Sequence, residues 1–181
     1  MRFERTHYSL AILFTLITCL LVMGGQAGSD NSVKLKQVEG DVKVNGTSAI
    51  SGATVFSDST ITTAARSSAV VSLGKLGRVE VLPESTIKLS FTDTTVSVAM
   101  LSQGRVRLSS SSGVNATTRD AQITGIGKGR NDFTVDTSCD NTVVMVQTGR
   151  VELRAGNSVK QIAAGSQDTA GTATPGCVPK R

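Results

Sequence analysis

Catalysis and metal binding near neutral pH need side chains that titrate, attack or ligate, and this chain of 181 residues carries few of them. The one histidine, His7, stands ahead of an apolar run, and there is no tryptophan. If the first residues are removed on export, Ser-His-Asp and Cys-His catalysis go with His7, as do imidazole zinc sites. The cysteines Cys139 and Cys177 are too few for a four-cysteine zinc site. Asp132, Asp136 and Asp140 recur every four residues, not with the alternation of a calcium loop, and are expected to decorate turns. No catalytic, cofactor-binding or metal-ligating residue is therefore assigned. A carboxylate-based envelope hydrolase survives as a rival reading, since any two acids can converge in a fold. The absence of tryptophan, and of tyrosine beyond Tyr8, removes the usual sugar-stacking platforms.

One loop invites a ligand: Gly125-Ile126-Gly127-Lys128-Gly129-Arg130. A Walker-type phosphate loop needs Ser or Thr after its lysine, where Gly129 stands, and a glycine at the position of Gln122. A dinucleotide fingerprint needs a third glycine where Arg130 stands, followed by a helix. Neither pattern is met, and the segment reads as a turn between strands. Lys128 and Arg130, with the loop's backbone amides, remain the candidate contacts for an anion or a partner. Arg105, Arg107, Arg119, Lys128 and Arg130 lack interleaved aromatics for base stacking, so no nucleic-acid partner is expected.

The N-terminus has the layout of a secretory signal peptide. Arg2 and Arg5 precede an apolar run, Leu10 to Met23, and Gly25 and Ala27 are the small residues a signal peptidase reads. Cleavage after Ala27 is expected, with a retained anchor as the alternative. Cys19 follows Thr18 inside the run, without the small residue that lipidation needs. After cleavage no membrane span is expected, and the formal net charge falls from +5 to +4. Its charges stand singly at alternating positions, as on a solvated sheet face. In the oxidising compartment this implies, Cys139 and Cys177 form an even pair and are expected to be joined. The location is then the periplasm or the extracellular space.

These residues must be positioned by strands. Gly40-Asp41-Val42-Lys43-Val44, Gly77-Arg78-Val79-Glu80-Val81, Gly104-Arg105-Val106-Arg107-Leu108 and Gly149-Arg150-Val151-Glu152-Leu153 repeat one pattern. In each, a glycine suited to a tight turn precedes strict alternation of charged and aliphatic residues, which gives one wet and one buried face. The spacings of 37, 27 and 45 residues are too irregular for an ideal repeat array. Strands are expected over residues 33–38, 41–44, 53–56, 59–63, 68–73, 78–82, 87–91, 96–100, 105–108, 120–124, 133–135, 142–146, 150–154 and 158–162. Asn45-Gly46 marks a tight turn and Pro83 a strand end. Ser109 to Gly113 reads as a serine-rich loop. No window outside the N-terminal run has helical spacing. The expectation is an all-β single domain of short strands, either a twisted solenoid or a sandwich, with an aliphatic core. The domains are a signal peptide (1–27), a linker (28–32), a β domain (33–165) and a C-terminal tail (166–181).

The order of these motifs from about Val38 to Gly165 resembles the FecR-like domain of bacterial envelope proteins. The residues that carry the resemblance are Gly40-Asp41-Val42, Gly52, Ile61-Thr62-Thr63-Ala64, Ser68 to Leu73, Gly77 to Val81, Pro83 to Ile87 and Gly104-Arg105-Val106. Phe133-Thr134-Val135, Val144-Met145-Val146, Gly149-Arg150-Val151 and Ala164-Gly165 complete it. The chain departs where the family carries a Gly-Thr pair three residues before its phenylalanine, a position held here by Arg130. The resemblance implies an all-β module outside the inner membrane. In the best-known members that module belongs to an anti-sigma regulator receiving a signal from an outer-membrane iron transporter. With only Met1 to Tyr8 ahead of the apolar run, a cytoplasmic sigma-binding domain is not expected here, and neither, for want of length after the β module, is the extra signalling subdomain.

The expected function is that of an exported, non-enzymatic FecR-like module, without cofactors, that binds an envelope protein or a cell-wall component. The alternative is a periplasmic signal-sensing module acting with a separate membrane partner. Oligomeric state does not follow from the residues. N-terminal sequencing of envelope material should begin at Gly28; a chain beginning at Met1 would establish a retained anchor instead.

Overall fold

The computed structural model describes residues 32–111 and 113–178. The signal-peptide segment and residues 28–31 of the linker lie outside them. Ser32, the last linker residue, already belongs to the first strand.

Seventeen strands and one 3-10 turn make up the described chain. The first six are β1 (Ser32–Glu39), β2 (Val42–Val44), β3 (Thr47–Ser48), β4 (Thr54–Phe56), β5 (Ser59–Thr63) and β6 (Ser68–Ser72). A 3-10 turn, Gly74–Leu76, leads into β7 (Gly77–Val81), followed by β8 (Ser85–Phe91), β9 (Thr95–Met100) and β10 (Arg105–Ser110). Next come β11 (Gly113–Thr117), β12 (Gln122–Ile126), β13 (Asn131–Asp136) and β14 (Thr142–Thr148). The chain closes with β15 (Arg150–Ala155), β16 (Ser158–Ala163) and β17 (Gln167–Ala170).

The strands form two sheets, ordered β4-β1-β6-β7-β10-β13-β14-β17 and β3-β2-β5-β8-β9-β11-β12-β15-β16. Strand numbers rise almost monotonically across both, so the chain winds between the sheets as it advances. The result is a sandwich with solenoid-like progression, which reconciles the two architectures left open by the sequence. Among the described residues all pairings are antiparallel except that of β9 with β11.

Alternation places the aliphatic residues of the repeated pattern inward. Val79, Val81, Val106, Leu108, Val151 and Leu153 are all buried in one core with Leu35, Ile61, Ile87, Leu89, Ile123 and Phe133. Leu108 stands directly opposite Phe133 in the β10–β13 ladder. Burying each such side chain contributes roughly 1.5–3 kcal/mol. Three of the four sheet edges are blunted by short strands, β3, β4 and β17, of two, three and four residues, while the fourth, β16, has six.

Three corners carry the chain between sheets by one device. At Gly40, between β1 and β2, the next N–H (Asp41) donates to Ser67 Oγ at 2.9 Å. At Gly104, between β9 and β10, Arg105 N–H donates to Ser85 Oγ at 2.8 Å. At Gly149, between β14 and β15, Arg150 N–H donates to Asn131 Oδ1 at 3.1 Å. All three acceptors are buried. A Cβ at Gly149 would lie 2.3 Å from Asn131 Oδ1 and 2.7 Å from the Arg130 carbonyl oxygen, and φ there is +84°. Gly40 is similar, with φ +72° and Ser67 Oγ only 2.3 Å from where a Cβ would stand.

Three expectations need correction. The serine-rich segment is not a loop: β10 runs through Ser109 and Ser110, and β11 begins at Gly113. Ser110 fits there because its hydroxyl donates to the Leu76 carbonyl at 2.7 Å. The tail supplies β17, which pairs with β14 from Thr142↔Ala170 to Met145↔Gln167, so the domain extends past residue 165. Backbone pairing holds this strand while only Ala170 is buried, which is why no side-chain periodicity announces it. The strand expected over 120–124 lies two residues later.

Asn131→Ala should cost about 1–3 kcal/mol by leaving the Arg150 N–H without its acceptor. Gly149→Ala should cost at least as much, through steric overlap and a left-handed backbone. Urea unfolding checks both; an unchanged midpoint in both variants would show that the corners do not limit stability.

Candidate functional site

The glycine-rich segment does not form a single loop. Gly125 and Ile126 belong to β12, opposite Val151 and Arg150 in β15. A Cβ at Gly125 would lie 2.6 Å from Val114 Cγ1 and 3.0 Å from Asn131 Nδ2. Glycine at this position thus leaves room for the side chain that caps the Gly149 corner. Lys128 is exposed at the turn between β12 and β13. Arg130, at the end of that turn, points to a different surface.

That surface is the outer face of the first sheet. A cavity of about 380 Å³ there is lined by Lys36, Arg78 and Arg130, together with Gln37, Ser72 and Ser109. Lys36 and Gln37 come from β1, Ser72 from β6, Arg78 from β7 and Ser109 from β10. Arg130 stands 3.8 Å from the Asp132 carboxylate beside the cavity, and no ion pair is seen for Lys36 or Arg78 among the described residues. Lys128 does not line it, so the two candidate contacts are separated.

Two acids lie beside the lining: Glu39 accepts from Gln37 Nε2 at 2.7 Å, and Asp132 stands near Arg130. Asp132, 10% exposed at its side chain, accepts from Arg107 Nε at 2.9 Å and Nη2 at 3.2 Å. Hydrogen bonding to Asp132, ahead of its charge and that of Glu80, holds the Arg107 pKa above its ordinary value despite partial burial. Asp132 also stands 3.8 Å from Arg130. Contrary to the turn assignment, Asp132 is a strand residue whose outward position is filled by an ion pair. Asp136 does serve a turn, accepting from Ser138 N–H at 2.8 Å and its hydroxyl at 2.6 Å.

Asp140 lies at the end of the sandwich, where the turns before β8, β10, β12 and β14 gather. Its carboxylate accepts from Thr174 Oγ1 and Gln103 Nε2, both at 2.6 Å. These bonds, Thr174 first, hold its pKa below the ordinary carboxylate value, with Arg119 adding a smaller effect. Arg119 pairs with Asp120 at 3.1 Å and donates to the Asp140 carbonyl oxygen. A smaller cavity of about 160 Å³ lies among Gln103, Arg119, Asp120, Thr137 and Asp140.

Cys139 and Cys177 are joined by a disulfide, with Cα atoms 5.7 Å apart across 38 residues of sequence. The bond draws the segment after β17 over this end, where Thr174 N–H also donates to the Cys139 carbonyl at 2.9 Å. Cys139 is buried. Such a bond belongs to an oxidising compartment.

Sequence reasoning missed Lys36 and Arg78. Arg78 was legible as an outward residue of its strand, but its neighbours come from other parts of the chain. Lys36 carried a local signal: the apolar residues of β1 run Val33, Leu35, Val38, a slip in the alternation at Lys36-Gln37.

Among solved structures, the fold is similar to a protein described as a putative anti-sigma factor from Parabacteroides distasonis ATCC 8503, with crystal structures at 1.65 and 2.50 Å resolution. The TM-score is 0.51 and the sequence identity 19% in both comparisons. The match covers 67% of this chain and 57% of that one, so this chain spans little more than half the length of its structural relative. No family model and no curated protein matches the sequence.

Reduction of the Cys139–Cys177 bond should destabilise the domain by up to roughly 3–4 kcal/mol, the chain-entropy value for a loop of this length. Denaturant unfolding with and without reductant reads this directly. Thiol titration of denatured, unreduced mature protein should find no free cysteine, and two free thiols would refute the bond.

Proposed function

We propose that this chain is an exported, non-enzymatic FecR-like β module that acts by binding an envelope protein or a cell-wall component, in the periplasm or outside the cell. The observation that carries this reading is the division of its charges. Asp132, Asp136 and Asp140 have their oxygens engaged by partners within the domain. Lys36 and Arg78, by contrast, converge on a concave surface with Arg130, which also stands 3.8 Å from Asp132. A carboxylate hydrolase needs an acid held protonated near neutral pH, which requires a raised pKa. The Asp140 carboxyl is shifted the other way.

A second reading, a periplasmic sensing module working with a separate membrane partner, is favoured by the fold shared with the putative anti-sigma factor. The match leaves much of that protein uncovered, so what carries over to this chain under the second reading is the sandwich scaffold alone.

Mature protein screened against broad hydrolase and glycan substrates should show no turnover above buffer. Turnover abolished by a single Asp or Glu substitution would overturn the binding-module reading. Transcript profiling of cells lacking the gene separates the two binding roles: a coherent change in one regulon marks the sensor, and no such change marks an envelope binder.

A further inference from the structure

The groove on the first sheet is built by a fault in strand register. β1 pairs with β6 through Leu35↔Val71 and then Gln37↔Val70, so Lys36 is an extra residue in the ladder. A bulge of this kind re-aims side chains that strict alternation would place on opposite faces. Here Lys36 and Gln37, adjacent in sequence, line the same cavity. Opposite them, Arg78 stands beside Ser72 and Ser109 in register, and Ser109 stands beside Asp132. Ser109, only 2% exposed, forms part of the floor of the cavity.

We propose that this groove binds a saccharide that bears an oxyanion, a phosphate or a carboxylate. The assignment rests on the reading of the chain as a binding module and names the ligand class of that surface. Lys36, Arg78 and Arg130 meet the anion through charge-assisted hydrogen bonds. Gln37, Ser72 and Ser109 meet ring hydroxyls. Three features select this class. The volume of about 380 Å³ exceeds what a bare oxyanion fills and falls among small-ligand sites. Val70 is the one aliphatic side chain among the described residues of the lining, so an acyl chain or aromatic body would bury little apolar surface. The groove also lies mainly over β6, β7 and β10, internal strands with a paired neighbour on both sides. An extended acidic peptide, which adds to a sheet edge, has no ladder to join across these strands.

Calorimetric titration of the mature protein at low salt tests the assignment, with glucose 6-phosphate and glucuronic acid as probes. Glucose, inorganic phosphate, hexaglutamate and phosphatidylglycerol vesicles serve as comparisons. Saturable binding of either acidic sugar is expected, weakened at least about tenfold by Arg78→Ser or Lys36→Ser, each removing one charge-assisted contact. Lys128→Ser should leave it unchanged. Added salt should weaken binding, as expected for a partly exposed ion pair. Which sugar binds more tightly separates a phosphate from a carboxylate source. Equal affinity for glucose or for inorganic phosphate would overturn the proposal, as would tighter binding of hexaglutamate or vesicles. Binding indifferent to Arg78→Ser, or no binding of either acidic sugar, would overturn it too. Both Lys36 and Arg78 are exposed, and unchanged thermal unfolding of the variants would show that the fold is kept. If the groove fails while the mature protein shows no turnover and still captures an envelope partner, the binding-module reading stands without this ligand.

Discussion

At Gly40, Gly104 and Gly149 the chain leaves one sheet for the other, and at each the next peptide N–H is accepted by a buried side-chain oxygen. These three hydrogen bonds set what the rest of the sandwich can do. A buried N–H left without an acceptor costs about 1–3 kcal/mol, so three open corners would remove much of a domain's typical stability of roughly 5–15 kcal/mol. The solution needs two residues at once. The glycine lets a polar side chain approach where a Cβ would collide, and the Ser or Asn then supplies the missing acceptor. Fixing the corner also fixes the phase of the strand that follows, since the first residue after glycine points outward and the second inward. Asp41, Arg105 and Arg150 therefore face solvent, and Val42, Val106 and Val151 face the core.

Half of this device was legible in the sequence. The glycine and the alternation after it are local, so the four repeats announced strands, phase and core. The acceptors were not legible, because Ser67, Ser85 and Asn131 lie 26, 20 and 19 residues from the N–H groups they serve. The same distinction explains the strands that were missed. β11 buries only Val114 and Ala116, and β17 only Ala170. Their pairing is written in the backbone groups of neighbouring strands, which side-chain pattern does not report. Ser109 and Ser110 looked like loop residues because serine favours turns, yet each occupies a strand position with a definite facing.

The candidate site was legible only in part for a related reason. Reading Lys128 and Arg130 as a pair assumed that neighbours in sequence share a surface. The turn between β12 and β13 instead leaves Lys128 exposed and brings Arg130 to a sheet face assembled from β1, β6, β7 and β10. The cations that join it are distant in the chain, and no spacing rule connects them. The slip from Leu35 to Val38 was visible, and a two-residue polar insert in an alternating strand is the mark of a bulge. Seen with the outward phase of Arg78, it pointed to β1 as a strand whose outer face departs from plain solvation.

Val70, Ser72, Gly77 and Arg78 line the groove from within stretches that also carry the FecR-like resemblance, but the two draw mainly on different residues of the pattern. The resemblance is carried by turn glycines and inward aliphatics, which make corners and core. The groove is carried by the outward residue after Gly77, by the extra residue of a bulge and by the end of a turn. Corners and core constrain each other, since changing one glycine disturbs two strands. An outward Arg constrains nothing beneath it. A sandwich of this kind can therefore keep its architecture at 19% identity to a structural relative while its outer face is rewritten. On this scaffold the fold and the proposed groove are written largely on alternate residues of the same strands.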